Sequence, residues 1–270
     1  MIYVFSDGPC EDASENDYDK VHEVRRIVNS KQWCGKLEII ETDYNRGLAD
    51  SIISGVTEIV ERHRRVIVLE DDIVTSPFFL SYMNDALNRY EDEKKVMHVA
   101  AYMPSLGKSD LPDYFFMRNS SCWGWATWQR AWCHFNNDPM QYLNSYSTEE
   151  ILRFNLDGAY DFWGQLQANK NGTIKTWAVY WYASVFRHGG LCLHPRESFT
   201  ENIGFDGSGI HCNVASPWSV TLVQNYQPIF PDVIQENELA EVAYRRAISN
   251  PMRKKTEHNI IRQLKSYFEK

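Results

Sequence analysis

The stretch from Val66 to Pro77 reads VIVLEDDIVTSP. An apolar, mostly β-branched run leads straight into Glu70, Asp71 and Asp72. Adjacent carboxylates repel one another unless something offsets their charge. A divalent cation is the simplest offset, because Mg²⁺ and Mn²⁺ prefer hard oxygen ligands. When the protein supplies one or two carboxylates, the remaining positions go to water and substrate phosphates. A strand ending in Asp-Asp therefore suits a nucleotide diphosphate. The alternative is a solvated group of acids at the start of the next helix, where Ser76 and negative charge are both favourable. The position after a β-branched strand favours the metal.

Other segments carry residue types suited to chemistry. Asp7 and Gly8 end the apolar run MIYVFS at a turn signal, and Asn45 and Arg46 open the turn NRGL. The block CWGWATW holds Trp123, Trp125 and Trp128. Flat apolar rings suit the C–H faces of sugars, and indole N–H groups can bond hydroxyls, although such rings also fill cores. Asp161 lies within the aromatic segment AYDFW, between Tyr160 and Phe162, Asp157 lies four residues earlier, and His211 closes the glycine-rich NIGFDGSGIH. His211 is a candidate for reaching a metal or a diphosphate once a donor orders that loop. There is neither a GxxxxGK[ST] phosphate loop nor a GxGxxG after the first strand, which argues against P-loop and dinucleotide-binding domains.

These residues need a scaffold. MIYVFS, KLEIIETD, RVIVLEDD and KVMHVAAYMP read as strands. YDKVHEVRRIVNS, NRGLADSIISGVTEIVERH and SPFFLSYMNDALNRYED read as helices, with Val21, Val24, Ile27 and Val28 on one face of the first. The alternation predicts an α/β fold with a mostly parallel sheet and helices on both faces. Ligands in such sheets bind beyond the carboxyl ends of the strands, where Asp7 and the acidic triplet both fall. From Asp113 to Trp181 the chain is dense in aromatics, with weaker periodicity. A helix is expected from about Tyr160 to Asn171-Gly172. IKTWAVYWYASVFRHGG and LCLHP read as strand-like or buried segments, and the tail from Glu236 as two polar helices, with Lys and Arg frequent over 253–265.

The totals set limits. A net charge of -8 argues against a general nucleic-acid binder. No apolar run reaches the ~20 residues that span a bilayer, and MIYVFSDGP does not read as a signal peptide. The six Cys are scattered without a CxxC pair and read as reduced thiols, which suits a cytoplasmic protein.

FSDGP, NRGLADSIISGV, VIVLEDDIVTSPFFLSYMNDAL, SCWGWATWQRAW and NIGFDGSGIH occur in this order. As an ordered set they resemble bacterial nucleotide-sugar glycosyltransferases of the GT-A fold (family 2-like), which are related to the N-acetylglucosaminyltransferase I group. The resemblance covers about residues 2–212. It implies a Rossmann-like sheet with an aromatic-rich acceptor half. It implies an inverting, metal-dependent transferase moving a sugar from a nucleotide donor, with UDP expected, to a hydroxyl of a glycan or lipid-linked glycan. By this resemblance Asp72 holds Mn²⁺ or Mg²⁺, and His211 is a further metal candidate. Glu70 and Asp71 face the ribose or donor sugar, and Asp7, with Gly8 beside it, reads the uracil edge. Asn45 and Arg46 are donor-site candidates, and Trp123, Trp125 and Trp128 form the acceptor floor. Asp161 is the implied general base, with Asp157 the alternative. One carboxylate near the acceptor oxygen suffices for that role, whereas a retaining hydrolase needs a second carboxyl about 5 Å away.

The expected organisation is a nucleotide-sugar half over 1–104, an acceptor and catalytic half over 105–230, and a helical tail over 231–270. The basic tail is a candidate for peripheral contact at the inner face of a membrane. Relatives of this kind begin one central strand earlier. The expectation is therefore an N-terminally truncated sheet that aggregates on its own and is rescued by ~30 upstream residues. Two other functions remain open: an inactive homologue acting as a sugar-binding or partner module, and a sugar-phosphate nucleotidyltransferase.

Overall fold

The computed structural model describes residues 1–107, 110–205, 220 and 222–249. His211, Cys212, the basic stretch 253–265 and the end of NIGFDGSGIH lie outside the described residues. β1 (Ile2–Ser6) leads to α1 (Glu15–Val28), β2 (Leu37–Glu41), α2 (Leu48–His63) and β3 (Arg65–Val68). β4 (Ile73–Thr75), α3 (Phe79–Arg89) and β5 (Val96–Ala100) follow. The aromatic half holds β6 (Tyr114–Met117), β7 (Trp125–Trp128), α4 (Gln129–Trp132), α5 (Pro139–Leu143), α6 (Thr148–Phe154), α7 (Phe162–Lys170), α8 (Ala178–Arg187), β8 (Leu191–Pro195) and β9 (Thr200–Asn202). A last helix, α9, covers 238–249.

The protein is α/β, but its strands divide among three sheets. β1 and β2 pair in parallel, with Ile2 opposite Leu37. A five-stranded sheet has the order β3-β7-β5-β8-β6, and β4 pairs antiparallel with β9. The main sheet is mixed. β5 and β8 are parallel, whereas β7 runs antiparallel between β3 and β5. The sequence reading of a mostly parallel sheet missed β7 because CWGWATW shows no alternation. Both of its faces are buried, and a strand buried on both sides loses its period-2 pattern.

Helices cover both faces of the main sheet. Phe79, Tyr82, Met83, Ala86 and Leu87 of α3 pack with Val99, Phe116, Ala126, Trp128 and Leu193 on one face. Val56 and Val60 of α2 pack with Trp132, Trp181, Val185, Met97, Trp125 and Cys192 on the other. A register shift between Val96 and His98 accompanies Met97 and His98 both serving the α8 face. The segment that holds α8 reads as strand-like or buried; it is buried, but it is a helix. Residues 179–185 are all buried, with β-branched and aromatic side chains around the helix.

The β1–β2 pair is set apart. α1 buries none of its residues, and Ile2, Phe5, Val24 and Ile27 are exposed. α1 nevertheless has a complete capping box, Ser14 with Asp17, which supports a helix without tertiary burial. Among the described residues no helix is long and apolar enough to cross a membrane.

Candidate active site

The acidic triplet forms the turn from β3 into β4, closed by the Ile73 N–H donating to the Glu70 carbonyl at 3.2 Å. Because Ile73 sits opposite Asn202, Asp72 lies against the end of β9. Asn202 Nδ2 donates to Asp72 Oδ2 at 3.1 Å. Asp72 Oδ1 is buried and accepts no hydrogen bond. A Cβ on Gly204 would come within 2.5 Å of Asp72 Oδ2, so only glycine lets the chain pass the carboxylate this closely.

The electrostatics follow from this crowding. Burial, then Asp72 and Asp71, push the Glu70 carboxyl up to about 7. Burial likewise raises Asp72, against the opposing Asn202 bond. Asp71 is exposed. An orphaned buried carboxylate oxygen beside two further acids fits a hard cation, whose charge would reverse these shifts. Among the described residues no group of three or more His, Cys, Asp or Glu side chains is arranged to hold a metal. A cation here would therefore take most of its ligands from water and phosphate, as Mg²⁺ usually does.

Hydrogen bonding brings aromatic groups to the same end of the sheet. Val68 pairs with Trp125, and the Ala101 N–H donates to the Gly124 carbonyl at 2.9 Å. Trp123 and Tyr102 therefore follow the same strand ends as the triplet. Trp123 meets Tyr102 edge-on, with centroids 4.5 Å apart, and Phe205 at 5.7 Å. The Tyr102 hydroxyl is buried without a hydrogen bond. Gly124 holds φ at +80°, and a Cβ there would lie 2.7 Å from Thr200 Cγ2. Thr200 Oγ1 donates to the Trp123 carbonyl at 2.7 Å, tying this segment to β9.

Trp125 and Trp128 sit elsewhere. Trp125 is fully buried and stacks on Trp177 and His98. Trp128 is 2% exposed, and its Nε1–H donates to the Leu87 carbonyl. Both are core residues in this structure, and only Trp123 of the three lies beside the acidic turn. The sequence spacing could not separate them, because the strand alternates while all its rings are apolar.

The chain reaches Trp123 by crossing the sheet from β6, and two buried histidines hold the crossing. Trp181 Nε1 donates to His98 Nδ1 at 3.0 Å, which leaves the His98 proton on Nε2, 3.1 Å from the Ser121 carbonyl. His194 Nε2 lies 2.8 Å from the Asn119 carbonyl and donates to it. Burial, then His194, holds His98 well below the usual imidazole range, and burial brings His194 down to about 4. Neither histidine drew notice in the sequence, where each lies inside an apolar strand.

Asp7 makes a different contact from the one expected. Its Oδ1 accepts from Gly8 N–H, Thr42 Oγ1 and Arg46 N–H, and its Oδ2 from Arg46 N–H and Gly47 N–H, all within 3.1 Å. Burial works against these bonds, but together they lower its pKa. The carboxylate is taken up by the turn that leads into α2, so it is not free to read a base edge. Gly8 is required by close approach, since a Cβ would lie 2.6 Å from Tyr44 N. Asn45 Nδ2 donates to the Gly8 carbonyl at 3.1 Å, completing the same turn, while Arg46 extends from it exposed.

Asp161 is the exposed N-cap of α7 and accepts from the Gly164 N–H at 2.8 Å. Its neighbour Tyr160 accepts from Gln165 Nε2 at 3.1 Å and packs on Phe162, with ring centroids 4.5 Å apart. Asp157 is ion-paired with Arg245. That pairing commits it, and it fits the role of base less well than Asp161. The sequence also missed Asn202, Gly204 and Tyr102. Asn202 and Gly204 belong to a segment noted only for its glycines, and Tyr102 to one noted only as a strand.

No protein-family model and no curated protein matches this chain.

Proposed function

We propose that the protein is an inverting, metal-dependent GT-A-type glycosyltransferase, moving a sugar from a UDP-linked donor to a glycan hydroxyl. The observation that carries this reading is Asp72, whose buried Oδ1 has no partner at the carboxyl end of β3, beside Trp123 and Tyr102. Asp72 would hold Mn²⁺ or Mg²⁺, which when bound supplies positive charge for the leaving diphosphate. Trp123 offers a flat face to the acceptor sugar. Asp161 accepts the acceptor hydroxyl proton as that oxygen attacks the anomeric carbon, and UDP departs from the opposite side. The bond to the acceptor oxygen forms as the bond to the diphosphate oxygen breaks, inverting the anomeric centre.

A second reading is an inactive sugar-binding module. The saturated Asp7 carboxylate favours it, because the expected base-reading group is occupied. Measuring UDP release from a panel of UDP-hexoses and UDP-N-acetylhexosamines with Mn²⁺ and oligosaccharide acceptors decides between them. Acceptor-dependent release supports the transferase. Oligosaccharide binding without UDP release supports the module, and neither binding nor release overturns both.

A further inference from the structure

Leu156, Asp157 and Gly158 have φ values of +50°, +52° and +82°. Two non-glycine residues in succession in the left-handed region are rare, and such strain persists only where surrounding structure imposes it. Part of that structure is local, with the Asp157 N–H donating to the Leu152 carbonyl at 2.9 Å and the Tyr160 N–H to the Asn155 carbonyl at 3.2 Å, and part comes from α9 and the segment before it. Arg245 of α9 pairs with Asp157. Arg118 bonds Glu236 and Glu241 and donates to the Arg153 carbonyl at 3.4 Å, while Arg153 pairs with Glu236. The strained turn is thus clamped from the α9 side, and it runs directly into Tyr160 and Asp161. The Asp161 carboxylate accepts from Gly164 N–H and, at 3.4 Å, from Asn155 Nδ2, and Asn155 Oδ1 accepts from the Trp163 N–H at 2.8 Å.

We infer that Arg245 is a positioning residue, holding the strained 156–158 turn through Asp157 and thereby setting where Asp161 stands. The catalytic half of this inference rests on the transferase reading above. The test compares Arg245→Ala and Arg245→Lys with the parent chain by hydrogen exchange, melting temperature and steady-state kinetics. In Arg245→Ala, exchange over amides 156–164 should rise about three- to tenfold, the effect of losing a partly exposed ion pair, with the rest of the chain unchanged. Arg245→Lys should restore the parent pattern. In the kinetics, kcat should fall by a similar factor with donor KM unchanged. Unchanged exchange, a rise spread evenly over the chain, or a Lys variant that behaves like Ala overturns the clamp. If the parent chain turns over no donor, the transferase reading fails, and the exchange pattern alone decides the clamp.

Discussion

Asn202 donates to one oxygen of Asp72 while the other stays buried and unpartnered. Strand pairing between β4 and β9 fixes this half-satisfied state. A buried acid oxygen left unmade costs roughly 1–3 kcal/mol or more, so a ligand that completes it should gain affinity there.

Asp72→Ala should therefore lower Mn²⁺-dependent affinity for UDP by at least about tenfold, or 1.4 kcal/mol, with the fold intact. Calorimetric titration of UDP with and without Mn²⁺ checks this. Unchanged metal-dependent binding would place the cation elsewhere.

Asp161 has two separable duties. Asn caps helices about as well as Asp, so Asp161→Asn should keep the melting temperature and donor affinity. It should lower turnover by roughly 10²-fold or more, the usual scale for a general base. Asp161→Ala should also cost about 1 kcal/mol of stability through the lost cap. A larger loss of turnover in Asp157→Asn than in Asp161→Asn would reverse the assignment.

Trp125 and Trp123 should respond in opposite ways. Trp125→Ala empties a fully buried site and should cost about 3–5 kcal/mol in chemical denaturation. Trp123→Phe should leave stability within about 1 kcal/mol and raise the acceptor KM. Equal effects on both measurements would remove the distinction between site and core.

The histidine-held crossing gives the fold a pH dependence. His194 titrates near 4 when folded, against roughly 6.5 for an unperturbed imidazole. Below pH ~6.5 the unfolded chain binds the proton and the native chain does not. Stability is thus fully present above that pH and falls as pH drops towards 4, by about 3 kcal/mol for this group. His98 acts in the same direction. Urea unfolding of the native chain and His194→Gln between pH 7 and 4.5 measures it, and the variant should show the shallower slope.

The alternating first hundred residues were legible because amphipathic helices such as α2 keep a clear apolar stripe, and because the acids sit at a strand end. The main-sheet order was not legible. β7 and β8 are buried along their whole length, so their sequences carry hydrophobicity without period. At the site, Asp72 and Trp123 stood out by residue type. Asn202 and Gly204 act only through the antiparallel pairing of β4 with β9, a long-range relation that no local pattern encodes. Asp7 was noticed for its position, but its neighbours on the NRGL turn take up its oxygens.

The separation of β1–β2 from the main sheet has an energetic consequence. No ladder bonds join the two sheets, and α1 adds no buried side chain, so β1, α1 and β2 can open as a cooperative unit of their own. Local opening free energies track such buried contacts. Amides of 2–41 should thus exchange by a sub-global route at low denaturant, while those of β5 and β8 exchange only through global unfolding. Among the described residues, the segment that carries Asp7 would then be lost before the main sheet.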